Sequence, residues 1–101
     1  MNKNENIIHG KTKSGIEFTL DKRVKDDTRL LLWLTNLQDE KKSMIQKSDA
    51  LFALLRFLFG GEETLAVFMD EVAARHDGVA DVRSLLAELS DMLEALDIKN
   101  S

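Results

Sequence analysis

The chain has 101 residues, 44% hydrophobic and 32% charged, with no Cys and no Pro; this fits one globular domain over 1–101 and excludes disulfides, thiolate nucleophiles and Cys-ligated metal centres. Its net charge of −4 is uneven: residues 1–50 carry 10 Lys/Arg against 8 Asp/Glu, whereas residues 51–101 carry 4 against 10. An acidic half repels phosphate, so nucleic acid is not an expected partner.

Residues 1–6 are polar and are expected to fray. Ile7–Thr12 and Ile16–Leu20 read as two short strands, because Ile16, Phe18 and Leu20 alternate with Glu17 and Thr19. Lys13-Ser14-Gly15 forms the turn, which gives a β-hairpin over 7–20. Such a hairpin is marginal alone and has to lay its apolar face on something else. Asp26 and Asp27 are N-cap candidates for a helix from Thr28 to Glu40, with Leu30, Leu31, Leu34 and Leu37 on one face and Trp33 beside it. Ser48 is the expected cap of a second helix, Asp49–Phe59, which is apolar almost all round. Its run Ala50–Phe59 is interrupted by Arg56 and falls short of the ~20 residues of a membrane span. The segment MNKNEN lacks the apolar stretch of a signal peptide. A soluble, cytoplasmic protein is therefore expected, with no membrane partner.

Gly60-Gly61 stops the second helix and Glu62-Glu63 open a third, with Leu65, Phe68, Met69 and Val72 on one face. His76-Asp77-Gly78 is a turn signal. A fourth helix follows, in which Val82, Leu85, Leu86, Leu89, Met92, Leu93 and Leu96 form one stripe while Glu88, Asp91 and Glu94 face away. Residues 98–101 are expected to fray. The expected fold is mainly α with a small N-terminal β-hairpin, an α+β chain whose region 26–97 is a compact bundle of about four helices.

The inventory for chemistry is thin. His76 and Asp77 could serve as a base with its orienting acid, but a histidine at a helix C-terminus is ordinarily stabilised there by the dipole. His9 lies on a strand expected to be exposed. Neither histidine has ligand-spaced partners, and Asp70, Glu71, Asp77 and Asp81 lack the spacing of a calcium loop. Gly60-Gly61-Glu62-Glu63 lacks the lysine and frame of a phosphate loop. The pairs Glu62 with Asp70 and Glu88 with Glu94 read as surface acids rather than catalytic carboxylates. No catalytic, cofactor-binding or metal residue is expected, and no cofactor; the protein reads as a non-enzyme. The helix Asp49–Phe59 is either core or a protein contact. If it is a contact, Phe52, Leu55 and Phe59 are its expected binding residues.

In chain order, the motifs are a hairpin ending Ile16-Glu17-Phe18-Thr19-Leu20-Asp21 and the cap Asp26-Asp27 before a leucine-rich helix. Then come Leu58-Phe59-Gly60-Gly61-Glu62-Glu63, Asp77-Gly78-Val79, an amphipathic helix and Lys99-Asn100-Ser101. This order resembles the small tail assembly chaperones of phages with long non-contractile tails, especially those of phages and prophages of Gram-positive bacteria. The likeness runs from about residue 15 to 101. It implies a non-enzymatic role: binding the tape measure protein, keeping it soluble and helping to recruit tail tube subunits. It implies that the partners are the tape measure protein, the tail tube protein, further copies of the chain in a homo-oligomer, and a longer form of the chain made by ribosomal frameshifting. Lys99, Asn100 and Ser101 would be the frameshift junction. The cytoplasm of an infected or lysogenic host is the implied location, with no place in the mature virion. The alternative is a small helical adaptor or regulator with a different partner.

Overall fold

The computed structural model describes residues 6–98; the expected frameshift junction Lys99–Ser101 lies outside them. Two strands, β1 (Ile7–Lys11) and β2 (Glu17–Asp21), pair antiparallel with Ile7 opposite Asp21 and Lys11 opposite Glu17. The turn between them closes through Thr12 N–H on the Ile16 carbonyl at 2.9 Å. Ile16, Phe18 and Leu20 are all buried, as their alternation predicts. Gly10 sits opposite Phe18. A Cβ added there would collide with the Phe18 ring. Gly10→Ala is therefore expected to cost about 1–3 kcal/mol through overpacking, read as a lower urea midpoint.

Asp21 ends β2 and caps a short 3₁₀ turn, Lys22–Asp26, which the periodicity did not predict. Hydrogen bonds from the Arg23 guanidinium and backbone N–H hold the Asp21 carboxyl down at about 2. Of the two expected caps it is Asp27 that opens α1 (Thr28–Gln38), accepting from Arg29 N–H at 2.8 Å. The same Arg29 guanidinium lies 4.8 Å over the Phe57 ring. Helix α1 stops at Gln38, short of the expected Glu40, because Asp39 takes an extended conformation and its carboxylate accepts from Lys41 N–H at 2.9 Å.

The largest boundary difference is in α2, which runs Met44–Phe59 rather than from Asp49. Ser43, not Ser48, is its cap. Ser43 and Gln46 form a reciprocal capping box: Gln46 N–H donates to Ser43 Oγ, and Ser43 N–H donates to Gln46 Oε1. Ser43→Ala is expected to cost about 0.5–2 kcal/mol and to fray the first turn of α2, visible as faster amide exchange at Gln46–Ser48. At its other end, Gly60 is left-handed (φ +77) and Gly61 is at φ +155, ψ 178, a region that side chains strongly disfavour. This pair turns the chain into α3 (Glu62–Arg75), and Arg56 forms an ion pair with Glu62 across the turn. Helix α4 (Val82–Ala95) is capped by Asp81, which accepts from Ser84 N–H at 2.8 Å.

The structure is thus a four-helix unit carrying a two-stranded hairpin. Helix α1 packs on α2, α2 on α3 and α4, and α3 on α4; β1 lies against α4 and β2 against α2. One apolar core joins them, containing Leu30, Leu51, Leu54, Leu55, Leu65, Phe68, Val72, Leu85, Leu89, Met92, Leu93 and Leu96 with the three hairpin residues. No helix among the described residues is long and apolar enough to cross a membrane.

Candidate functional site

Helix α2 supplies the expected contact residues, and the structure separates them. Leu55 is fully buried and belongs to the core, so it offers no surface to a partner in this fold. Phe52 and Phe59 are half-buried. Phe59 leans on Phe68 of α3 with ring centroids 4.6 Å apart. Helical geometry puts residues seven apart on nearly one line. Ile45, Phe52 and Phe59 share that spacing, and Ile45 is 74% exposed. Ile45 and the half-buried Phe52 and Phe59 therefore form an apolar line along one edge of α2, beginning in a turn not expected to be helical, while the polar Gln46, Asp49 and Arg56 are also exposed on the helix. Further exposed apolar side chains stand on α1 (Leu31, Leu32), α3 (Val67) and α4 (Leu86), although Leu31 and Leu86 were both expected on the apolar faces of their helices. Between α1 and α2 an open cleft of about 350 Å³ is lined by Trp33, Asn36, Lys42, Gln46, Asp49 and Ala50 among others.

Glu88 departs furthest from its sequence pattern. Its place on the polar side of the α4 stripe predicts exposure, yet only 2% of it is accessible. The hairpin turn covers it. Ser14 Oγ donates to both carboxylate oxygens at 2.8 Å, and His76 Nε2–H donates to Oε2 at 2.9 Å. Burial works against the charged form. The hydrogen bonds from Thr12, His76 and Ser14 outweigh it and hold the carboxyl below the ordinary glutamate range. His76 thus pairs with Glu88, 12 residues on, rather than with the adjacent Asp77. Around this centre, Lys13 N–H donates to Asp91 Oδ2 at 2.8 Å. The Arg75 guanidinium donates to the Ser14 carbonyl at 2.9 Å and the Gly15 carbonyl at 3.2 Å. Sequence reading could not find this clasp, because 74 residues separate Ser14 from Glu88.

Serine, histidine and a carboxylate side by side invite comparison with an acyl-transfer triad. There, the histidine stands between hydroxyl and acid so that it can take the proton. Here the acid stands between hydroxyl and histidine, and a carboxyl held low is a weak base. What this geometry does well is fasten the hairpin turn to α3 and α4. Among the described residues no three His, Asp or Glu side chains are grouped to hold a metal ion. Comparison with family models, with curated proteins and with solved structures finds no match to this chain.

Proposed function

We propose that the protein is a phage tail assembly chaperone of the short type, which binds the tape measure protein, keeps it soluble and helps to recruit tail tube subunits. The observation that carries this reading is the apolar line Ile45–Phe52–Phe59 along α2, with Ile45 standing out in solvent. A tape measure protein is a long helical chain with apolar stripes, and an apolar helix edge fits such a stripe in the helix-in-groove mode. The order of motifs along the chain gives the same direction: Leu58-Phe59-Gly60-Gly61-Glu62-Glu63 forms the α2–α3 turn, and Asp77-Gly78-Val79 the α3–α4 turn. Many copies coating one long partner, with weak association between neighbouring copies, follow from this role. It takes place in the cytoplasm of the bacterial host, without nucleic acid or membrane.

The nucleotide sequence of the gene tests this assignment. The reading expects a slippery run of codons through Lys99–Ser101, an overlapping shifted frame, and then a very long frame encoding a helical protein. A longer product at low abundance should appear on a blot. A gene with no shifted frame and no long helical neighbour would leave the helical adaptor as the better reading.

A further inference from the structure

The hairpin is held to the helices in two ways. Its apolar ties are Ile16, Phe18 and Leu20, from β2 and the residue before it, with the half-buried Ile8 of β1; β1 contributes no fully buried apolar side chain. Its polar ties gather at the turn, where Glu88 collects Ser14 and His76 while Asp91 and Arg75 hold the backbone of Lys13, Ser14 and Gly15. The four helices, by contrast, contact one another directly in every neighbouring pair. A two-stranded hairpin has little stability of its own, so its docking depends on these ties.

We propose that Glu88 is the latch of a lid: the hairpin, residues 7–21, opens from its turn as one unit while α1–α4 stay packed, uncovering the apolar sides of α2 and α4. Glu88 is the one charged side chain buried among the described residues. Its two oxygens join three segments that are far apart in the chain: the turn, the end of α3 and the middle of α4. The charged groups around it are His76 and Arg75 at the end of α3, Lys13 on the turn and Asp91 one turn further along α4. Lys13 is largely in solvent, and Arg75 is spent on backbone carbonyls. Loss of the Ser14 contact leaves the turn with the Thr12 hydrogen bond to Glu88, an exposed Lys13–Asp91 ion pair and its backbone ties, and loss of the Glu88 carboxylate removes the Ser14 and Thr12 contacts together. The opened form presents more apolar surface than the closed one, on the same α2 that carries the Ile45–Phe52–Phe59 line. The latch stands on its own geometry and does not depend on the chaperone reading.

Amide hydrogen exchange on the full chain tests it, with Glu88→Gln and Ser14→Ala as variants. In the unmodified chain, β1 and β2 amides should be at least about tenfold less protected than those of α2 and α3, with a weaker dependence on denaturant. Each variant should speed hairpin exchange by about 10- to 100-fold. Ser14→Ala removes a single hydroxyl from an exposed residue, so it serves if Glu88→Gln does not fold. Equal protection and equal denaturant dependence for hairpin and helices would mean one cooperative unit and would overturn the lid. Hairpin exchange unchanged in the variants would overturn the latch.

Discussion

Leu55→Glu is expected to leave the chain unfolded. Leu55 has no accessible surface and sits in the core with Leu51, Leu54 and Leu58 on the same side of α2. The substitution removes about 2–3 kcal/mol of apolar burial. It also places a carboxylate where no cation or donor can meet it, at a cost of several kcal/mol more. Domains of this size have only about 5–15 kcal/mol in total. Circular dichroism should show loss of helix, and gel filtration an expanded or aggregated chain. Phe52→Glu, on the half-buried edge of the same helix, should keep the helical signal. A folded Leu55→Glu variant would mean that α2 does not pack as described.

His76→Ala should be the next largest effect, at about 2–3 kcal/mol in urea unfolding. It leaves the buried Glu88 carboxylate without the imidazole donor 2.9 Å away. Breaking a fully buried pair costs about 3–5 kcal/mol; His76 keeps 28% of its side chain in solvent, so water reaching the gap lowers the figure. The pH dependence follows from Glu88. Its carboxyl is held below its unfolded range. The stability it contributes is therefore present above the ordinary glutamate pKa and is lost as pH falls through the lower folded value. Unfolding midpoints should drop on the acid side of about pH 4.5, and Glu88→Gln should flatten part of that drop. Asp27 and Asp81 are also held low, by hydrogen bonds from Arg29 and Ser84 respectively, so a residual acid dependence should remain. An acid limb that is the same in Glu88→Gln would contradict the role given to this carboxylate.

Much of the fold was legible because it rests on local periodicity. Ile16, Phe18 and Leu20 show the period of a half-buried strand, and Leu85, Leu89, Met92, Leu93 and Leu96 show the period of a helix; all are buried. Gly60-Gly61 marked the α2–α3 joint for the same reason, since few residues other than glycine tolerate those angles. The start of α2 was hidden because Met44-Ile45-Gln46-Lys47 has no buried stripe; Met44 and Ile45 point into solvent. Ser43 followed by Gln46 was the readable signal there. The candidate contact was half legible. An all-apolar helix has a core side and an outer side, and composition alone cannot assign Leu55 to one and Phe52 to the other. Glu88 was illegible in principle: its partners lie on other segments, so only the tertiary fold turns a surface-patterned acid into a buried one.

In the proposed function, the apolar edge of α2 holds a helical tape measure protein in solution. The most direct measurement is co-expression of this chain with the long helical protein that the proposed function places beside its gene, followed by gel filtration with light scattering. A soluble complex with several copies of the chain per partner is expected. Phe52→Glu or Ile45→Glu, while still folded by circular dichroism, should weaken binding at least about tenfold, as for anchor residues of an interface. A tape measure protein that stays insoluble and does not co-elute, or a complex indifferent to both substitutions, would contradict the proposed function.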